Sequence, residues 1–162
     1  MRMQIRAFRP PDAPALERIF YAAVHQIGAL HYSPDHVDAW APALPRPEGF
    51  IAWGEDGRLL LVAADDRDYP LAFGDLERDG HIDHLYCRPD VAGRGVASAL
   101  YDRLKAAAVD WGIARLFVEA SEPARRFFLR KGFVVLGRRD FILTGVPIHN
   151  FAMEKLLGDL EK

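Results

Sequence analysis

A mixed α/β (α+β) domain, with a mostly antiparallel central sheet flanked by helices, is the fold class this sequence predicts. Three observations predict it. Apolar residues recur at helical spacing from Leu16 to Ile27, from Ala97 to Asp110 and from Pro123 to Gly132. Strand-length apolar runs occupy much of the rest. Three of these runs, between Arg58 and Arg88, follow one another across short turns, as in an antiparallel meander.

Taken in order, Met3 to Phe8 alternates apolar and polar residues like a half-buried strand. Pro10, Pro11 and Asp12 end it, and Asp12 is placed to cap a helix whose apolar face is Leu16, Ile19, Phe20, Ala23, Val24 and Ile27. In HYSPDHVDAWAP, Ser33 reads as an N-cap and Pro34 as the first residue of a short helix stopping near Pro42. Pro45 and Pro47 then mark the least regular stretch, where contacts to a bound molecule are favoured. The runs RLLLVAAD, PLAFGDLE and HIDHLYCR give the meander, with Asp79 and Gly80 at the second turn. Next comes a helix to Asp110 with Gly112 just past its end, then the strand ARLFVEAS and the short helix PARRFFLRKG. Strands around FVVLGRRDFIL and HNFAMEKL close the chain.

Composition narrows the function. The 162 residues, 50% hydrophobic and 27% charged, suit one domain spanning 1–162 with a proper core. A net charge of -2 with interleaved signs supplies no basic stripe for nucleic acid and no polybasic membrane patch. Cys87 is the single cysteine, so no intramolecular disulfide or cysteine-rich metal pattern exists, and a reducing compartment fits. The N-terminal MRMQIRAFRPPD lacks the apolar core of a signal peptide and no run is long enough to span a bilayer, so the expected location is the cytoplasm.

The chemistry concentrates in LYCRPDVAGRGVASAL, Leu85 to Leu100. A strand ends, a proline turn follows, and Gly93 and Gly95 stand at the mouth of a helix. Unpaired N–H groups and the positive end of the helix dipole make an anion site there, suited to a pyrophosphate, with Arg94 able to add a charge. A nucleotide P-loop would need Lys followed by Ser or Thr at the helix start, and GRGVAS has none. A dinucleotide-binding oxidoreductase domain is a closer alternative, with Glu119 about where a ribose-binding acid would lie, but it demands further parallel βαβ units.

The segment DVAGRGVA resembles the Q/R-x-x-G-x-G/A loop of the GNAT superfamily of N-acetyltransferases, preceded by an L-x-V-x-P-like run at Leu85, Cys87 and Pro89. ASEPARRFFLRKGF resembles the family's later block, with Ala124, Phe127, Gly132 and Phe133 in place. HYSPDHVDAW and the closing NFAMEK further resemble a small bacterial subgroup.

The resemblance implies an acetyl-CoA-dependent transfer of acetyl to a primary amine, by direct attack in a ternary complex without a metal, and a homodimer in keeping with the family. It implies that main-chain groups of Leu85, Tyr86 and Cys87 pair with pantetheine. It assigns pyrophosphate to the loop from Ala92 through Gly93, Arg94, Gly95, Val96, Ala97 and Ser98. Two positions depart from the family pattern. Ala92 replaces Gln or Arg, and Phe128 replaces the Tyr that protonates the leaving thiolate, so Ser121, Tyr101, water or no acid at all takes that role. A CoA-binding sensor that has shed catalysis is the non-enzymatic alternative.

The ammonium of the acceptor must lose a proton before it attacks, and HIDHLYC offers His81, Asp83 and His84. Strand alternation puts His81, Asp83, Leu85 and Cys87 on one face and His84 on the other, unless a bulge intervenes. Asp83 between apolar neighbours is the first candidate base and His81 the second. His31, Tyr32, Trp40 and Asn150 are candidates for contacts to the acceptor, a small molecule or peptide. Cys87 as an acetyl carrier would need an exposed, activated thiol.

Overall fold

The computed structural model describes residues 2–27, 33–35, 47–143 and 145–158. Its strands are β1 (Gln4–Ala7), β2 (Leu59–Ala64), β3 (Pro70–Leu76), β4 (Leu85–Cys87), β5 (Arg115–Ala120), β6 (Val134–Leu143) and β7 (Val146–Leu156). Its α-helices are α1 (Ala13–Ala22), α2 (Pro47–Glu55), α3 (Val96–Asp110) and α4 (Glu122–Arg130), with α1 running on into a π-helical turn at Ala23–Ile27. The strands form two antiparallel sheets, β1-β2-β3-β4 and β5-β7-β6. This is the expected mixed architecture, and its antiparallel sheets correct the dinucleotide-binding alternative, which needs parallel strands.

Both faces of the first sheet are covered. Leu16 and Ile19 of α1 and Phe50 of α2 pack with Leu60, Val62 and Phe73 on one side. Leu100 and Leu104 of α3 pack with Leu61, Ala63 and Leu71 on the other, in a core that continues through Leu116, Phe128 and Met153 of the second sheet and α4.

Helix α2 is an element that the sequence reading did not anticipate. It begins at Pro47, a position where proline is accepted, but two of its nine residues are glycine, so local propensity for it is weak. Tertiary packing supplies what propensity lacks: the Phe50 ring meets Phe73 edge-on at 5.4 Å and Trp53 at 5.0 Å. The expected helix from Pro34 to Pro42 lies outside the described residues beyond Asp35. Asp12 also differs from expectation. Its carboxylate accepts from the Arg9 N–H at 2.8 Å and from the Arg6 guanidinium at 2.8 and 2.9 Å, closing the turn before α1 rather than capping that helix.

The third run of the meander departs most usefully from the expected continuous strand. Only Leu85–Cys87 is strand, so the predicted alternation from His81 to Cys87 is broken. The cause is Asp75 on β3, whose Oδ1 accepts from the N–H groups of both Asp83 and His84, at 3.0 and 2.7 Å, and so takes donors that an unbroken ladder would use. Just upstream, the chain joins the two sheets. Phe117 N–H donates to the Gly80 carbonyl and Ile82 N–H to the Phe117 carbonyl, at 3.1 and 3.0 Å, a parallel bridge. Beyond it β4 pairs with β3 and β5 with β7, so β4 and β5 separate.

Gly80 makes the junction possible. It has φ +101°, and a Cβ there would stand 2.1 Å from the Arg115 carbonyl oxygen.

Candidate active site

Two strands that part company leave backbone groups facing a gap, and here the gap is a cleft of about 310 Å³. Leu85, Tyr86 and Cys87 of β4 form one wall, Val118, Glu119 and Ala120 of β5 the other. Asp83, Ala92, Gly93, Ala97, Ser121 and Phe128 also line it. A second cavity of about 330 Å³ shares Cys87, Gly93, Ala97 and Phe127 with the first and reaches Gly95, Val96 and Ser98. Of the strand and loop residues singled out in the sequence, Asp83, Leu85, Tyr86, Cys87, Ala92, Gly93, Gly95, Val96, Ala97 and Ser98 line these two adjoining cavities, whereas His81, His84 and Arg94 line neither.

The loop end suits an anion. Gly95, with φ +84°, is the N-cap of α3, and no heavy atom lies within 4 Å of where its Cβ would be. The fifteen-residue helix α3 has no side-chain cap at Gly95, so its first N–H groups are left for another acceptor. Two cations that the sequence reading passed over, Arg130 and Lys131, close the same cavity. Lys131 Nζ donates to Ser98 Oγ at 2.5 Å and lies 3.3 Å from Asp102 Oδ1. An ammonium at a helix N-terminus opposes the dipole, so a bound anion is the complement that this arrangement calls for. The available signal was the Arg-Lys pair just before Gly132 in the later family-like block, which meets the glycine loop only through tertiary packing.

The acid–base groups are arranged otherwise than alternation suggested. His81 bridges Glu77 and Glu119, Nδ1 at 2.6 Å and Nε2 at 2.8 Å, with its ring stacked on Phe117 at 4.9 Å. The Glu119 hydrogen bond, joined by Glu77 and opposed by burial, raises the imidazole pKa to about 9. At neutral pH both ring nitrogens therefore carry protons, and His81 in that form has no lone pair with which to act as a base. Glu119, the residue considered for a ribose, is held below the usual carboxylate range by the same bond.

Asp83 reaches the cleft but is not set among apolar groups: its Oδ2 lies 3.0 Å from Arg58 Nη1. Burial raises the pKa of the Cys87 thiol, with Asp90 adding to the effect, so the neutral thiol is a poor nucleophile.

Ser121 caps α4, its Oγ accepting from Ala124 N–H at 3.3 Å. Phe128 is buried, edge-on to Tyr101 and Phe133 at 6.2 and 4.9 Å, and Tyr101 is buried in the same aromatic group. Asn150 pairs with Arg139 across β6 and β7 and lines neither cavity. His31, Tyr32 and Trp40 lie outside the described residues.

Comparison with known proteins agrees with this geometry. The family model of the acetyltransferase (GNAT) domain matches residues 29–155. The uncharacterized N-acetyltransferase YafP of Escherichia coli is 33% identical over 153 residues, covering 93% of this chain and 94% of its own. A GCN5-related N-acetyltransferase from Rhodopseudomonas palustris superposes with a TM-score of 0.87 at 35% identity, over 97% of this chain and 99% of that one. The yncA protein of Salmonella typhimurium, solved with its cofactor acetyl-CoA, shares the fold with a TM-score of 0.75 at 20% identity, over 98% and 96% of the two chains. By its sequence, its sheets and the cleft between them, the chain belongs to the GNAT family of N-acetyltransferases.

Proposed function

We propose that this N-acetyltransferase uses acetyl-CoA and passes the acetyl group to a primary amine by direct attack within a ternary complex. One observation carries the reading: the cleft between β4 and β5 adjoins, through the shared Cys87, Gly93, Ala97 and Phe127, the cavity at Gly93–Ser98 where a helix N-terminus and Lys131 meet. An apolar slot ending in a cationic, N–H-rich pocket suits a ligand with an extended arm and a pyrophosphate. The yncA complex with acetyl-CoA supports the same occupant. Pantetheine would lie against the main chain of Leu85, Tyr86 and Cys87, with the pyrophosphate at Gly93–Ser98 and Lys131 supplying the charge that Ala92 lacks.

Direct attack fits a Cys87 thiol that burial keeps protonated. The acceptor amine would approach from the α1 and α2 side, where Tyr86 packs with those helices. A cytoplasmic location and a single domain over 1–162 belong to the same reading, which the lone cysteine and the match to YafP over 93% of this chain support. Among the described residues no helix is long and apolar enough to cross a membrane. In this reading the chain acts as a homodimer, in keeping with its family.

The test is calorimetric titration of acetyl-CoA into wild-type protein and Gly95→Glu, together with free-thiol release against an amine library. Gly95→Glu puts a carboxylate where the phosphates would sit and should abolish binding in a folded chain. Unchanged affinity in that variant would sink the assignment.

A further inference from the structure

Asp75 is fully buried on β3, a central strand, where an ionised carboxylate is costly unless its lone pairs are satisfied. Four donors satisfy it. Oδ1 takes the N–H groups of Asp83 and His84, and Oδ2 takes Arg58 Nη1 and His84 Nδ1, each at 2.8 Å. Burial raises the Asp75 pKa, but the His84 and Arg58 contacts outweigh burial and hold it below the usual carboxylate range, and the Arg58 guanidinium with the two backbone N–H groups favours the carboxylate whichever charge His84 carries. An ionised carboxylate only accepts, so the bond from His84 Nδ1 fixes the proton on that nitrogen. Neutral His84 is then the tautomer whose Nε2 bears a lone pair, and Nε2 makes no hydrogen bond among the described residues.

The position of His84 is equally specific. Asp83 before it and Leu85 and Tyr86 after it line the cleft, and His84, which itself lines neither cavity, adjoins the cleft through these neighbours. Its ring lies on the Tyr86 side of the sheet, tilted against Trp53 of α2 at 4.4 Å and 6.2 Å from the Phe73 ring. The groups that face it are Asp75 on β3, Arg58 ahead of β2, Trp53 on α2, and Asp83 and Tyr86 on its own segment, with Asp83 Oδ2 at 3.5 Å from Nδ1. By contrast, Asp83 is paired with Arg58, and His81 is the conjugate acid at neutral pH.

We propose that His84 is the general base of the acetyl transfer and that Asp75 is its positioning residue. The proposal rests on the acetyl-CoA reading above. His84 Nε2 accepts one proton from the acceptor ammonium. The freed nitrogen lone pair forms the C–N bond at the thioester carbonyl, and the C–S bond breaks with its electron pair leaving on the CoA sulfur. The second nitrogen proton passes to that thiolate, directly or through water, and His84 returns its proton to solvent. Asp75 holds the tautomer and stabilises the imidazolium that forms.

The test has a spectroscopic arm and a kinetic arm. Long-range ¹⁵N–¹H spectra of the labelled wild-type protein should show His84 in the Nδ1–H form, and Asp75→Asn should shift it toward a tautomer mixture. An Nε2–H form in wild type overturns the dyad whatever the kinetics give.

In the kinetic arm, free-thiol release is followed with spermidine, glycinamide and lysine amide as probe amines. His84→Gln should lower kcat at pH 7 by about a hundredfold or more while the KM for acetyl-CoA stays within about threefold. The loss should shrink at high pH, where free amine is abundant, and added imidazole should restore part of the rate of His84→Gly. Where Asp75→Asn fails to fold, the His84 variants carry the test. A His84→Gln kcat within about threefold of wild type, or a loss that follows Asp83→Asn instead, overturns the proposal. If wild type neither binds acetyl-CoA nor releases thiol with any probe, the acetyl-CoA reading fails, and the tautomer spectrum still decides the dyad.

Discussion

Lys131, one residue past the end of α4, sets its Nζ 2.5 Å from Ser98 Oγ in the first turn of α3. The contact joins two segments 33 positions apart and puts a full positive charge beside the N–H groups of the glycine loop.

Lys131→Met should therefore weaken acetyl-CoA binding by about tenfold to a hundredfold, the range of one charged hydrogen bond. The folded structure should survive, since the ammonium is near the surface. Titration at two salt concentrations checks it: the wild type should lose more affinity with added salt than the variant.

The bridge from His81 to Glu77 and Glu119 ties stability to pH. The folded-state pKa, about 9, lies above the ordinary 6.5. A raised value means that the bridge's contribution is fully present below about 6.5 and is lost as pH climbs through about 9. The Tm gap between wild type and His81→Gln should accordingly be widest near pH 6 and close by pH 10. A gap that is constant across this range would show that His81 acts through packing on Phe117 alone.

Ser121 invites a separation of cap from catalyst. As the N-cap of α4 it contributes about 1 kcal/mol, so Ser121→Ala should lower Tm by a few degrees. Ser121→Asp restores an acceptor for the Ala124 N–H but cannot act as a proton donor when ionised. If Ser121 only caps, Ser121→Asp should recover stability and the acetyl-transfer rate together. Recovered stability with a depressed kcat would mark the hydroxyl as the acid that protonates the leaving thiolate.

Gly80 is the most severe single-site test of the sheet junction. With φ +101° and the Arg115 carbonyl oxygen 2.1 Å from where a methyl carbon would stand, Gly80→Ala should destabilise by about 3 kcal/mol or more. Chemical denaturation measures it. A loss under about 1 kcal/mol would mean that the backbone relaxes around the bridge without cost.

Much of this enzyme was legible in one dimension. Periodicity placed α1, α3 and α4 and the order of the strands, because burial of one face imposes a repeat of 3.6 or 2 whatever lies opposite. The Gly93–Gly95 pair and the block ending at Phe133 carried the family, since positive φ at a helix mouth leaves few residue choices. What the sequence could not determine was which side chains meet. Helix α2 exists because Phe50 finds Phe73, a contact between residues 23 positions apart that propensity does not register. Lys131 reaches Ser98, and Asp75 draws two N–H groups out of the β4 ladder, only once the sheets have formed. That last displacement is why alternation failed from His81 to His84: the period-two rule assumes backbone hydrogen bonds to a neighbouring strand, and here a buried carboxylate competes for them.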